Sequence, residues 1–347
     1  MKWSYDPYTT FTRGLRLLPL VGLGVLFAQA FSFSRMIRIM VYAFLASAIL
    51  STLVSVLVPS LGLDRLGELY AHAWRGAQIN KNATGFIYAT GIIICFAAYL
   101  VEAVDIRVAA LTALICIVIV YKAQSTTALV AAIVTFGPAL MFWALRNERP
   151  GLKVSVLVLF ISGAGVVITL VLLNPEIFDL LGKDATFNGR TPIWAAAWTA
   201  FTERPWLGHA YSFWAFDYPE RNFVWLQSGQ REPHAHNTWL DLLVQLGIVG
   251  WGIIALLTVL TFARCFREWL FSADLRPIIL LSLLIYLVIR SQTEVQFSEP
   301  APGALFWLVW ISCSAKAARS RQSTPKSVGE EPKPSPWVGS PVHEVRA

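Results

Sequence analysis

The sequence predicts an all-α, polytopic membrane protein of about nine transmembrane helices, with one large loop that itself contains short helices. Three observations predict it. Of 347 residues, 56% are hydrophobic and only 14% charged, and the mean hydropathy is +0.57; soluble domains carry about 25% charged residues. A bilayer core about 30 Å thick needs about 20 apolar residues per helix, and runs of that size recur along the chain. One of them, VSVLVLFISGAGVVITLVLL at 154–173, has no charge on any face, which excludes a buried helix of a soluble fold. Lys and Arg also gather in alternate short connections, the bias that sets membrane orientation.

Taken in order, apolar runs near 15–34, 37–59, 84–101, 106–121, 126–145 and 153–173 make residues 1–173 an N-terminal group of spans. Residues 174–236 are too many for a mere connection and form the large loop. Runs near 238–263, 277–290 and 301–315 make 237–317 a C-terminal group. Residues 318–347, with STPKSVGEEPKPSPWVGSP, are rich in Pro and Ser and read as a disordered tail. The connections bearing Arg35 and Arg38, then Arg107, then Arg146, Arg149 and Lys153, then Arg264, Arg267 and Arg276, then Lys316, Arg319 and Arg321 are expected inside the cell. The tail is then cytoplasmic and the large loop outside. The N-terminus is outside too, against the pull of Lys2, Arg13 and Arg16. The formal charge of +7 follows from this bias and the basic tail, so nucleic acid is not an expected partner. The four cysteines, Cys95, Cys116, Cys265 and Cys313, fall in spans and make neither a disulfide framework nor a zinc ribbon. The start, MKWSYDPYTTFTRGLR, has acidic, aromatic and proline residues where a signal peptide is basic.

Polar chemistry collects on the expected outer face. One stretch, 60–83, carries Arg75, Lys81 and Asn82 just before a span. The turn YKAQSTT (121–127) carries Lys122. The long loop holds Trp194, Trp198, Trp206, Trp214 and Trp225, as interfacial anchors or as faces for sugar stacking. Within it, TPIWAAAWTAFTERP reads as a helix with Thr191 as N-cap and Pro192 at the first helical position, broken at Pro205 and turning at Gly208. Arg190 just precedes that start, where a guanidinium beside free helix N–H groups suits a phosphate or diphosphate. In REPHAHNTWLDLLVQLGIVG, Asn237 reads as the N-cap of a span. Asp241 and Gln245 follow at one-turn spacing, and a carboxylate there is costly unless it faces a polar cavity. His234 and His236 are half of a zinc set at most, and no DxD or HExxH pattern supplies the rest. No metal and no cofactor are therefore expected, and a histidine facing a basic pocket suits proton transfer. Glu294, in RSQTEVQ, is the reserve base.

NGRTPIWAAAWTAFTERPWLGHAYSFWAF followed by HAHNTWLDLLVQLGIVG resembles the O-antigen ligase and polymerase (Wzy_C-like) superfamily, in particular its ExoQ-type exopolysaccharide polymerases. WRGAQINKNATG and KWSYDPYTTFTRGLR resemble two further stretches of it, so the likeness runs from about residue 3 to about 310. The resemblance implies a GT-C-like helical bundle in the bacterial inner membrane. It also implies metal-independent glycosyl transfer at the periplasmic face from undecaprenyl-diphosphate-linked oligosaccharide. The acceptor would be a growing polysaccharide, or, in a ligase, lipid A core; a transporter without chemistry is the third reading. Chain-length regulators, export proteins and membrane lipid are the implied partners. Carried over by motif, Arg190 and His236 are catalytic. Arg13, Arg75, Lys81, Lys122, Asn237, Asp241 and Glu294 contact substrate. Where many relatives carry Ser-Arg this chain has QSTTAL, with Lys122 just upstream. The stretch KWSYDPYTTFTRGLR normally follows several spans, so the chain is expected to be short by about three or four helices, which accounts for Arg13 outside.

Overall fold

The computed structural model describes residues 4–64, 72–174, 190–211, 213–215, 219–229, 231, 234–298 and 303–322. The tail expected to be disordered from 318 starts later: residues 318–322 continue the last helix, which runs from Ala304 to Gln322, and the rest of it, with Asn188 and Gly189 of the loop motif, lies outside the described residues. Among the described residues the regular elements are helical, with one isolated bridge between Leu63 and Trp74. Helices α1 (Pro7–Leu15) and α2 (Leu17–Ala30) follow one another directly. Then come α3 (Phe33–Leu57), the short α4 (Pro59–Gly62), α5 (Lys81–Leu100), α6 (Ile106–Lys122), α7 (Thr126–Ala144) and α8 (Pro150–Leu173). The long loop carries α9 (Arg190–Glu203) and α10 (Pro219–Ser228). The chain closes with α11 (Thr238–Phe271), α12 (Leu275–Ser291) and α13 (Ala304–Gln322).

Among the described residues six segments are long and apolar enough to cross a membrane: Pro7–Ala30, Phe33–Leu57, Lys81–Leu100, Thr126–Ala144, Pro150–Val167 and Thr238–Phe271. Helices α6 and α12, at 17 residues each, and the apolar part of α13, Ala304–Ala315, are shorter. The outward faces carry Leu18, Leu53, Leu114, Ile133, Leu159 and Ile253, the surface a lipid solvent requires. Between helices the bilayer supplies no hydrophobic drive, so close packing and polar contacts hold the bundle. Small residues provide the close approach: Ala89, Ala97 and Ala98 of α5 and Ala128, Ala131 and Ala132 of α7 are buried. Larger side chains from α3, α5, α6, α12 and α13, among them Ile37, Tyr88, Ile119, Ile278 and Trp310, fill the centre.

Side chains satisfy the helix ends. Asn80, Asp105, Asn237 and Asp274 accept hydrogen bonds from the first-turn N–H groups of α5, α6, α11 and α12. At one end of the bundle the buried Lys153 donates to the carbonyls of Trp269 at 2.7 Å and Leu270 at 3.3 Å, the last turn of α11. Arg38 donates to Ala103 O at that same end, at 2.7 Å. The opposite end carries the long loop, the 58–80 segment, the α6–α7 turn and the α12–α13 connection.

The loop is bolted to this end through a break in α11. Gly247 has φ +64 and ψ −170, a conformation that interrupts the helix. The freed backbone groups are taken up by the turn after α9: His209 N donates to Val244 O at 2.8 Å, Ile248 N to Pro205 O at 2.8 Å, and Val249 N to Trp206 O at 3.3 Å. That turn ends α9 at Glu203 and reverses at Gly208, φ +63, as the sequence predicts. The start of α9 differs from expectation. Arg190 is already its first residue, so Thr191 is inside the helix rather than its cap. Pro192, whose missing N–H is no loss anywhere in the first turn, does not fix the boundary by itself.

A Cβ at 247 would sit 2.3 Å from Trp206 O. Gly247→Ala therefore combines about 1–3 kcal/mol of backbone strain with a backbone clash. The expected outcome is a lower melting temperature in detergent, or loss of the folded protein. Gly252→Ala, where an added Cβ meets nothing within 4 Å, is expected to melt like the wild type.

Candidate active site at the loop end of the bundle

Glu294 lies just past α12, in a turn whose backbone N–H donates to Arg290 O at 3.1 Å. Its carboxylate is the meeting point of four chain segments. Oε1 accepts from Asn82 Nδ2 at 2.9 Å and lies 3.2 Å from Arg190 Nη2 and 3.8 Å from Arg290 Nη1. Oε2 is 3.5 Å from His236 Nδ1. Arg190 also donates through Nη1 to the carbonyl of Thr293, which fixes the plane of its guanidinium. The side chains of Arg190, His236 and Glu294 are 15%, 17% and 11% exposed, buried enough to sharpen electrostatics yet open to a ligand. Arg290 is 3% exposed, sits over the ring of Phe86 and donates to Asn82 O at 3.1 Å.

The His234–Ala235–His236 segment is placed by its middle residue. Ala235 is fully buried; its N–H donates to Asp241 Oδ1 at 3.1 Å and its carbonyl accepts from Trp194 Nε1 at 2.9 Å. Asp241 is itself fully buried and accepts from Gln245 Nε2 and Ser298 Oγ. His236 adopts φ +50, a region that costs a non-glycine residue energy and is enriched at functional sites. Its backbone N–H donates to His234 Nδ1 at 3.2 Å. Asn237 caps α11 through Trp239 N and Leu240 N, and reaches Gln292 O at 3.3 Å. Thr238 Oγ1 donates to Glu294 O at 2.6 Å. The HAH strand is thus held to both α9 and the α12–α13 connection.

Burial raises the carboxyl of Glu294. The hydrogen bond from His236 and the charges of Arg290, His236 and Arg190 outweigh it and bring it down to about 2. A carboxylate lowered in this way is suited to anchoring its cationic neighbours. Two guanidiniums against one carboxylate leave a positive excess around it with His236 neutral, which favours an anion. His234, His236 and Glu294 offer ligand atoms within 4.8 Å of one another and could form three sides of a metal site. A dication there would stand beside both Arg190 and Arg290, and the charge arrangement opposes it.

The structure brings together Arg190, His236, Asn237 and Glu294, with Asp241 beneath them. The others lie further out. Arg75 donates to Leu61 O at 2.7 Å and to Ile79 O, bracing its own segment. Lys81 is the first residue of α5, its N–H bound to Asp64 Oδ2 at 2.9 Å. Lys122 ends α6 beside a cavity with His72, Trp74 and Tyr121. Arg13 lies in the last turn of α1, whose approach to the loop is marked by Tyr5 OH donating to Glu220 Oε1 at 2.6 Å. That glutamate pairs with Arg204 at 3.3 Å, and Arg221 lies 3.8 Å over the ring of Trp225. One site residue escapes sequence reasoning, Arg290; Asn82 is placed by the sequence on the outer face but given no role. Arg290 had a readable signal: it closes the apolar run PIILLSLLIYLVI, and an ionisable group at the end of a span is a functional candidate.

Membrane-length apolar helices and this polar cluster at one end define a multi-pass membrane protein with a site at the water boundary. Residues 111–255 match the O-antigen ligase (Wzy_C) family. It is 25% identical over 334 residues to the exopolysaccharide production protein ExoQ of Rhizobium meliloti, covering 92% of this chain and 75% of that protein. It is also 30% identical over 174 residues to an O-antigen ligase of Pseudomonas aeruginosa, covering 50% of this chain and 39% of the other. With its spans, these relatives make it a multi-pass protein of the bacterial inner membrane. Arg190, His236 and Asp241 fall inside the matched family segment; Asn82, Arg290 and Glu294 fall outside it.

Because the folded carboxyl of Glu294 is depressed to about 2, the stability it contributes is fully present above the unfolded value near 4.3. It is lost only as the pH falls from there towards 2. Melting temperature in detergent is therefore expected to lose a component on acidification below about pH 4.5. Glu294→Gln should lower the plateau and flatten that acid slope. An unchanged slope would remove Glu294 from the anchoring role.

Proposed function

We propose that the chain is a metal-independent membrane glycosyltransferase that polymerises undecaprenyl-diphosphate-linked oligosaccharide repeats into exopolysaccharide at the periplasmic face. The relatives' names support glycosyl transfer of the polymerase or ligase type. The observation that carries the reading is the carboxylate–histidine–arginine cluster. Glu294 approaches Nδ1 of His236, which makes Nε2 the atom proposed to meet an acceptor hydroxyl, while Arg190 stands on the other side of the same carboxylate.

The chemistry follows from these groups. The acceptor oxygen attacks the anomeric carbon of the donor sugar and its proton passes to His236 Nε2. The bond from that carbon to the diphosphate oxygen breaks, with its electron pair staying on the diphosphate. Glu294 stabilises the imidazolium that forms, as a buried carboxylate does for a general-base histidine. Arg190, donating in a plane set by Thr293 and Glu294, stabilises the charge growing on the leaving diphosphate. Asn237 and Asp241 act through the backbone that holds His236. Arg13, Arg75, Lys81 and Lys122 line the approach, where lipid-linked donor, growing polysaccharide and any chain-length or export partner would meet the protein.

A second reading is O-antigen ligase, favoured by the 30% identity over 174 residues to the Pseudomonas protein. Both readings place His236 and Arg190 in the same chemistry and differ in acceptor.

Complementing a deletion strain and sizing its surface polysaccharide tests both. His236→Ala is expected to abolish long chains in a protein that still inserts, His234→Ala to do much less, and Arg190→Lys to be nearly as damaging as Arg190→Ala, because a point charge does not replace a bidentate guanidinium. Equal loss from both histidine variants, with zinc restoring the wild type after chelation, would favour a metal site. Loss of long chains identifies a polymerase, and full-length chains unattached to lipid A core identify a ligase.

Sidedness has its own test. In a background without native cysteines, Gln227→Cys in α10 should react with a membrane-impermeant maleimide in cells with a permeabilised outer membrane. Ala273→Cys, between α11 and α12, should stay unlabelled until the inner membrane is broken. Both positions are exposed. The reverse pattern would put Arg190 and His236 in the cytoplasm and end the polymerase reading.

A further inference from the structure

A cavity of about 520 Å³ lies at the loop end of the bundle, away from Glu294, between the end of α3, the segment before α5 and the α6–α7 turn. Its walls include Val56, His72, Trp74, Tyr121, Lys122 and Gln124. The volume is within the roughly 300–1,000 Å³ of small-ligand sites. The walls are fixed to one another, since Trp74 N donates to Lys122 O at 2.9 Å and Trp74 bridges to Leu63. Tyr121 is 75% exposed and packs nothing that would explain it as core. Gln124 holds φ +51, a costly conformation for a non-glycine residue, at the turn that shapes one wall.

We propose that this cavity is a second, carbohydrate-binding subsite, which holds sugar units of the glycan while transfer takes place at Glu294, Arg190 and His236. This rests on the glycosyl-transfer reading above. A sugar ring presents apolar C–H faces and a rim of hydroxyl groups. Trp74 and Tyr121 offer aromatic surface to the faces, and His72, Lys122 and Gln124 offer donors and acceptors to the rim. Lys122 further suits a sugar that carries a carboxylate or another acidic substituent. A lipid phosphate would call for converging cations, and the described walls supply one lysine beside a histidine. The cavity is also connected to the reacting groups. Next to Gln124, Ser125 Oγ donates to Asn82 Oδ1 at 3.4 Å, and Asn82 Nδ2 donates to Glu294. Two hydrogen bonds thus separate the turn that forms its wall from the carboxylate that organises the site, which places the subsite where a chain leaving that site can lie. Tyrosine and tryptophan at a membrane boundary also serve as interfacial anchors, so the test contrasts Tyr121 with Tyr99, another tyrosine at the other end of the bundle, 58% exposed.

The probe is lipid-free oligosaccharide prepared by partial hydrolysis of the strain's own surface polysaccharide, titrated calorimetrically into full-length protein in detergent. Wild type and His236→Ala are expected to bind it alike. Tyr121→Ala and Lys122→Ala should each weaken binding about tenfold, and Tyr99→Ala should leave it unchanged. Binding that is the same in wild type, Tyr121→Ala and Lys122→Ala overturns the subsite. So does Lys122-dependent binding of undecaprenyl phosphate without any binding of the oligosaccharide, which would make the cavity a headgroup site. The two readings fail separately: if only the subsite is wrong, His236→Ala still stops chain growth in cells. If only the transfer chemistry is wrong, His236→Ala cells make normal chains while Tyr121→Ala still loses the oligosaccharide.

Discussion

A single carboxylate holds the loop end of this bundle together. Glu294 receives Asn82 from the start of α5, Arg190 from the start of α9, His236 from the segment before α11 and Arg290 from its own helix. Removing it would leave two guanidiniums facing each other across a space that is nearly closed to water, at a cost larger than any one contact contributes. Keeping it sets the character of the site, because one negative charge among two arginines leaves a basin that is positive overall. The surrounding backbone is recruited to the same end: Thr238 and Asn237 bind the carbonyls of Glu294 and Gln292, so the turn after α12 is tied to the mouth of α11.

The bilayer explains why the scaffold takes this form. A helix broken inside a membrane leaves backbone groups that lipid cannot satisfy, and the break at Gly247 is possible because the Pro205–His209 turn supplies the missing partners. That exchange carries a second consequence. It fixes α9 to α11, and through α9 it fixes Trp194, whose indole holds Ala235. With Asp241 holding the N–H of the same residue, His236 is kept in its left-handed conformation by bonds on the neighbouring residue rather than by its own ring. The ring faces Glu294, with Nδ1 3.5 Å from Oε2. Strain of this kind persists only where the surroundings over-determine it, and here the over-determination can be traced from a glycine in a membrane helix to an imidazole.

How much of this was legible in the sequence follows from the range of each interaction. The spans were readable because charge-free runs have no other explanation, and Asn237 as a cap was readable because capping is a rule about four consecutive residues. The break at Pro205 and turn at Gly208 were local in the same sense. The start of α9 was misplaced onto Thr191 because a proline fits any position of a first turn. Asp241 was read as a group facing a polar cavity; the structure gives it Ser298, Gln245 and Ala235 N instead. The polar partner demanded by a buried carboxylate was inferred correctly, but its identity was not, since Ser298 is 57 residues away. Asn82 and Glu294, 212 residues apart, meet only because α5 and α12 pack together, and no periodicity encodes that. Arg290 was there to be seen at the end of an apolar run, four residues before a glutamate that had been noticed.

The division of labour proposed for the site follows from the same electrostatics. A carboxylate lowered to about 2 by its neighbours has less affinity for a proton than an ordinary glutamate, which supports giving the proton to His236 and the anchoring role to Glu294. The charge that makes it a poor base is the charge that would favour a protonated imidazole 3.5 Å away. Arg190 draws on the same anion and gains a fixed plane from it and from Thr293. A group that neither accepts the proton nor touches the leaving group can therefore set both the basicity of one partner and the aim of the other. On this view the last outer connection of the chain, which lies beyond the matched family segment, is as much a part of the proposed chemistry as the two motifs within it.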